Sequence, residues 1–240
     1  MRHAIILGSG SDIGRGIAER LEGDGWVVAR LSHHQGLEST TAHRWDLIVC
    51  CYGALEPIGA FWDVDPGEWE RAFRVNAFLP LRQVRELYPR KNPGASVCFF
   101  SGAGANGSAP TYSAYCASKI MLTKMTELLD AESEDCKFFI LGPGMMRTKI
   151  QEQTLRVGER AANYDRVSKF MASGEEGTSP DLLYKFLMAC VAAPKAAVGG
   201  RNFYVPLDDC ERLAEPDGPL VKDPHMLKLR RAGDGQLRRV

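Results

Sequence analysis

Residues 4–16 read Ala4-Ile5-Ile6-Leu7-Gly8-Ser9-Gly10-Ser11-Asp12-Ile13-Gly14-Arg15-Gly16. Ala4 to Leu7 is a short apolar run with the character of a buried strand. It stops at Gly8 and gives way to small residues. From Ile13 the apolar spacing changes to Ile13, Ile17 and Leu21, which is one face of a helix. A strand, a glycine-rich turn and a helix together predict a nucleotide-binding βαβ unit. Glycines let the backbone approach a phosphate, and the free N–H groups of the helix start face negative charge. Small-residue turns also join strands to helices where nothing binds, so the remaining motifs decide the reading.

The composition narrows the class. A chain of 240 residues, 45% of them hydrophobic, is sized for one large α/β domain. Thirty basic and thirty acidic residues cancel, so no global field favours nucleic acid or an anionic membrane. No apolar run approaches a membrane span, and the run after Arg2 and His3 is too short for the core of a secretion signal. Seven cysteines follow no metal or disulfide pattern, which predicts reduced thiols and a cytoplasmic protein. The adjacent Cys50 and Cys51 read as small residues ending a buried strand rather than a redox pair.

Farther along, Trp26 to Leu31 reads as the second strand and Asp46 to Cys51 as the third, with only Ser32 to Trp45 between them. A parallel crossover takes about a dozen residues, so that interval holds a single connection. Pro66 to Tyr88 reads as a helix, Ala95 to Phe100 as a strand, Gly102 to Pro110 as a loop, and Tyr112 to Ala131 as a long helix. Lys137 to Leu141 is a strand closed by Gly142-Pro143-Gly144. Met145 to Thr178 reads as polar, weakly periodic and mobile. Ser179 caps a helix that begins at Pro180 and runs to about Ala192. Arg201 to Val205 is a last strand. Alternating strands and helices imply a parallel sheet covered on both faces, with ligands at the carboxyl ends of the strands.

Taken in order, these stretches resemble the classical short-chain dehydrogenase/reductase family. Gly8 to Gly14 resembles its glycine-rich cofactor turn, and Asn76 in Phe-Arg-Val-Asn-Ala its helix asparagine. Tyr115-Cys-Ala-Ser-Lys119 resembles its Tyr-x-x-x-Lys, and Pro143-Gly144 followed by Thr148 its segment over the nicotinamide. The resemblance covers residues 4 to about 209 and leaves residues 210–240 as a charged extension of a single Rossmann-like domain, residues 1–209. It implies an oxidoreductase with Tyr115, Lys119, Asn76 and Ser101 as catalytic candidates. Cofactor contacts are implied for Gly8, Ser9, Ser11, Asp12, Ile13, Gly14, Ser32, His33, Gly53, Pro143, Gly144 and Thr148, and for Tyr115 and Lys119 as well. No metal site is implied. The long helix forms a dimer face in the family, so a homodimer or homotetramer is expected.

The residue chemistry points the same way. Tyr115 and Lys119 are four apart, so a helix places them on one face. An ammonium beside a phenol, together with an oxidised nicotinamide, favours the phenolate and equips Tyr115 as general acid or base. Pro80 lies four residues after Asn76 and has no N–H, so the carbonyl of Asn76 loses its helical donor. In the family that carbonyl holds a relay water.

Four departures stand out. The position of the family's active-site serine is Gly102, with Ser101 one residue earlier, and adjacent residues of an extended chain face opposite ways. Ser101 is the expected replacement, Ser113 a weaker one. Asp12 stands where the cofactor turn normally has its middle glycine, and is expected to cap the helix. The family's Asn-Asn-Ala-Gly is Cys50-Cys51-Tyr52-Gly53. The short Ser32 to Trp45 interval deletes the family's third, edge strand. A doubly wound six-stranded sheet with a more open adenine pocket is therefore expected. Leu31-Ser32-His33-His34 lacks the acidic residue that binds the ribose hydroxyls of NAD, which favours NADP while leaving NAD possible. The alternative is a redox-silent protein of the same fold that serves as a binding or regulatory partner.

Overall fold

The computed structural model describes residues 1–32, 44–102, 104 and 107–230. Its six strands are β1 (His3–Leu7), β2 (Val27–Leu31), β3 (Trp45–Cys50), β4 (Lys91–Phe100), β5 (Lys137–Gly142) and β6 (Asn202–Tyr204). All pair in parallel, in the order β2-β1-β3-β4-β5-β6. Among the described residues β2 is the edge beside β1, as expected for a sheet without the family's third strand. His33 and most of the Ser32 to Trp45 interval lie outside the described residues, as does the end of the chain from residue 231.

Each strand alternates its side chains between two cores, because successive side chains of a strand face opposite ways. Ala4, Ile6, Leu47, Val49, Cys98, Phe139 and Phe203 pack on helices α1 (Asp12–Gly23) and α7 (Pro180–Ala192) through Ile17, Leu21, Leu183 and Phe186. Ile5, Leu7, Ile48, Val97, Phe99 and Phe138 pack on Val84, Leu87 and Leu122. These come from α3 (Leu79–Leu87) and α4 (Ser113–Ala131), which cover the opposite face. Burial on both faces explains why the strands read as nearly continuous apolar runs.

The single helix expected over Pro66 to Tyr88 is divided. α2 (Pro66–Phe73) passes into a π turn, Arg74–Phe78, before α3 begins at Leu79. The Leu79 N–H reaches back to the Arg74 carbonyl. Pro80 explains the irregularity, since it offers no N–H to the Asn76 carbonyl.

Met145 to Thr178 departs from expectation more clearly. It forms α5 (Lys149–Val157) and α6 (Tyr164–Ala172). Their apolar stripes, Ile150-Thr154-Val157 and Tyr164-Val167-Phe170-Met171, have helical spacing that the polar composition obscured. Arg147 fastens this segment. It donates to the carbonyls of Phe170, Met171 and Glu175 and lies over the Phe170 ring.

Residues beyond β6 are built onto the core. Cys210, Leu213 and Leu220 are buried. Arg201, 1% exposed, donates to the carbonyls of Leu220, Asp223 and Met226.

Candidate active site

The carboxyl ends of β1, β3, β4 and β5 open into two adjoining cavities of about 480 and 610 Å3. The smaller is a groove along the glycine turn. Gly8, Gly10, Ser11, Asp12, Ile13, Ser32, Gly53, Lys119, Pro143 and Thr148 line it. The larger lies beneath α5 and α6. Ser101, Tyr115, Pro143, Thr148, Ile13 and Ile150 line both, so they mark the junction.

The glycine turn is held by close backbone packing. Gly8 has φ +84°, and a Cβ there would lie 2.9 Å from the Cys51 carbonyl carbon and the Tyr52 nitrogen. A Cβ on Gly14 would lie 2.6 Å from the Gly8 carbonyl oxygen. The N–H groups of Gly8 and Ser9 donate to the Leu31 carbonyl, which ties the turn to β2. Ser9 and Gly14 thus shape the turn and do not line the groove. The helix cap is Ser11, not Asp12 as expected. Its Oγ accepts from the Gly14 N–H at 3.0 Å and donates to the Gly8 carbonyl at 2.9 Å. No described residue accepts from the N–H groups of Asp12 or Ile13, which suits a bound anion. Lys119, Lys149 and Arg71 also line the groove, against one carboxylate among the described residues, that of Asp12. These features fit a dinucleotide phosphate chain.

Asn76 is fully buried and lines neither cavity. Its Nδ2 donates to the Ala54 carbonyl at 2.9 Å, and its Oδ1 accepts the Ala54 N–H at 2.8 Å. The pair fixes the loop after β3 and, with it, Gly53. Tyr52 packs into the core with Leu7, Leu31 and Val84, and its carbonyl is an acceptor for Lys119.

Tyr115 and Lys119 sit in the first two turns of α4 and are 8% and 4% exposed. The Lys119 Nζ lies 5.9 Å from the Tyr115 ring centroid. It donates to the carbonyls of Phe100 at 3.0 Å and Tyr52 at 3.2 Å. Burial, with a smaller contribution from Cys116, pushes the Tyr115 phenol up to about 12. Burial pulls the Lys119 ammonium down to about 8. The expected lowering of the phenol by the ammonium is therefore not produced by the chain's own groups. Loss of water dominates and favours both neutral forms.

Gly102 and Ser101 resolve differently from their sequence positions. A Cβ on Gly102 would lie 2.5 Å from Cε1 and Oη of Tyr115. The tyrosine ring fills the space a side chain would need. Ser101 sits at the junction of the cavities, with its Oγ beside Gly142. Ser113 is engaged elsewhere, as the acceptor for Trp69 Nε1 at 3.1 Å.

Gly144 has φ +76° and lines the larger cavity rather than the groove. Thr148 precedes α5 without a side-chain cap and lines both cavities. The larger cavity mixes Leu55, Val167 and Leu207 with Thr154, Asn163, Arg166 and Asn202. Thr154, Asn163, Arg166 and Val167 come from the segment that reads as polar, weakly periodic and mobile, whose composition gives no signal for these individual side chains.

All seven cysteines are free thiols. Burial raises Cys50 and Cys51, the latter to about 12, as suits strand-end core residues. Among the described residues there is no cluster able to hold a metal ion, and no helix is long and apolar enough to cross a membrane.

Residues 35–182 match the protein family described as enoyl-(acyl carrier protein) reductase. An uncharacterised oxidoreductase of Schizosaccharomyces pombe is 32% identical over 110 residues, 45% of this chain and 44% of its own. The chain thus spans less than half the length of this curated relative. The fold is similar to ligand-free aldohexose dehydrogenase of Thermoplasma acidophilum, with a TM-score of 0.71 at 20% identity over 85% of this chain and 92% of that one. It is equally similar to a small-chain dehydrogenase solved in complex with NADPH, with a TM-score of 0.71 at 17% identity over 88% of this chain and 98% of that one.

Proposed function

This chain belongs to the short-chain dehydrogenase/reductase family of oxidoreductases, and we propose that it reduces or forms a carbonyl group with NADP(H) as its preferred cofactor. The observation that carries the reading is the junction of the two cavities, where Tyr115 faces both and Lys119 lies one helical turn away. The glycine turn, Lys119 and Thr148 would hold a dinucleotide in the groove, and its nicotinamide would supply or accept the hydride. Tyr115 Oη passes a proton to the substrate oxygen, or takes one in the reverse direction. Lys119 supports the charge that develops on Tyr115. Asn76 holds the loop under the cofactor and offers its carbonyl to a relay water. Ser101 orients the substrate oxygen.

The preference for NADP(H) rests on the non-acidic Ser32-His33-His34 and on the basic lining of the groove. The mixed walls of the larger cavity suit a hydroxylated carbonyl compound, sugar-derived ones included. Residues 1–209 form the family domain, with the following residues as its extension. We place the protein in the cytoplasm as a homodimer or homotetramer through α4, where Leu128 is exposed, with Phe78 exposed on the π turn before α3.

NADPH and NADH titrations, followed by turnover on a panel of ketones and keto-sugars, test the proposal. Tyr115→Phe should abolish turnover while leaving cofactor affinity in place. Absence of binding to either nucleotide at millimolar concentration overturns it. The redox-silent alternative draws on Gly102, where the tyrosine ring takes the place of the family's serine. It predicts binding without turnover.

A further inference from the structure

Asp12 replaces a glycine of the family pattern, and its carboxylate does something a glycine cannot. One oxygen accepts from Arg15 at 3.2 Å. The other accepts the backbone N–H of Lys149 at 3.1 Å, across 137 positions of sequence. Lys149 is the first residue of α5, and Thr148, which precedes it, offers no side-chain cap. Asp12 therefore serves as the N-terminal cap of a helix to which it does not belong.

The two ends of this contact stand on opposite walls of the groove, one on the glycine turn and one on the segment over it. Both residues line the groove. α5 is also held from two other directions. Gln153 Oε1 accepts the Leu55 N–H at 3.3 Å, and Thr154 shares a hydrogen bond with the Tyr112 hydroxyl at 3.2 Å. Those ties reach the loop after β3 and the start of α4. Among the described residues, only the Asp12 tie crosses from the glycine turn to the residue beside Thr148.

We infer that Asp12 is a positioning residue that holds α5, and with it Thr148, closed over the cofactor groove. The inference rests on the groove being the dinucleotide site, as proposed above. The carboxylate has opposing effects. Its hydrogen bond places Thr148, while its charge faces the cofactor phosphates. Asparagine keeps an acceptor of the same reach without the charge, and alanine keeps neither.

Amide hydrogen exchange by mass spectrometry, without cofactor, reads the tie directly. In Asp12→Ala, exchange at the start of α5 should accelerate about fivefold, the worth of one modest hydrogen bond. Exchange from Gln153 onward should hold. Asp12→Asn should restore protection. With NADPH as the probe, Asp12→Ala should weaken binding by about threefold to tenfold, with the loss in the KM for NADPH rather than in kcat. Asp12→Asn should bind NADPH at least as tightly as the unaltered chain. Unchanged exchange at Lys149 in Asp12→Ala overturns the inference. So does equal tightening of NADPH by both variants, since Asp12 would then act through charge alone. If the unaltered chain binds neither NADPH nor NADH, the proposed function fails, while the exchange comparison still decides whether Asp12 holds α5.

Discussion

Serine at position 102 looks like a repair, because it restores the residue the family carries there. The geometry makes it an injury. A Cβ built on Gly102 lies 2.5 Å from Cε1 and Oη of Tyr115 and 2.7 Å from Cζ. Carbon atoms settle at about 3.5 Å or more, so the ring must retreat by about 1 Å. The first turn of α4 packs Tyr115 with Leu55 and Tyr112, which restricts any easier adjustment. A misplacement of about 1 Å in a group that must meet a reacting atom costs about 100-fold in rate. The overpacking itself costs about 1–3 kcal/mol of stability. Single-turnover oxidation of NADPH with an accepted ketone measures the first figure, and urea unfolding the second. Gly102→Ala is the control, because it adds the Cβ without the hydroxyl. Both variants should fall together, with NADPH affinity held. If Gly102→Ser matches or exceeds the unaltered chain while Gly102→Ala does not, the hydroxyl matters more than the volume. The steric reasoning would then be wrong.

Two further outcomes follow from burial. Burial pulls the Lys119 ammonium down to about 8, from the 10.5 of a lysine in water. The unfolded chain therefore binds the extra proton between those values, and stability rises with pH across that window. Below pH 8 the full cost, about 3 kcal/mol, is present. Lys119→Met should thus raise the urea midpoint at pH 7 while removing turnover, and the gain should shrink as pH approaches 10.5. No difference between pH 7 and pH 10 in that comparison would refute it. Above pH 10 the raised Tyr115 acts in the opposite sense, because the unfolded phenol ionises first. Ending the chain after Asp209 should cost about 3–5 kcal/mol or more, since it strips Leu213 and Leu220 from the core and leaves the buried Arg201 guanidinium without acceptors. A truncated chain with an unchanged thermal midpoint would contradict this.

Legibility along the chain follows a physical gradient. β1, β3, β5 and the second half of β4 are readable because a strand buried on both faces must be apolar throughout, and Ile5-Ile6-Leu7 or Phe138-Phe139-Ile140-Leu141 admit little else. Ser179-Pro180 announced α7 because a cap is local chemistry, and its Oγ accepts the Leu182 N–H as expected. α5 and α6 were illegible because their solvent faces are polar and their apolar stripes are narrow. What makes them helices is the floor they lie on, together with Arg147 reaching the end of α6.

The candidate site divides in the same way. Sequence by itself determined the order of the elements, the glycine turn, the four-residue spacing of Tyr115 and Lys119, and the proline that unsettles the helix at Asn76. All of these depend on residues close along the chain. Tertiary structure alone decided that Ser11 rather than Asp12 caps α1, and that Asp12 instead reaches α5. It also decided that Gly102 is bare because a tyrosine ring occupies its side-chain space, and that burial outweighs any help the ammonium gives the phenol. These are contacts and solvent exclusions between segments distant in sequence. No local spacing encodes which of two oxygens, or which of two neighbouring residues, will face the groove.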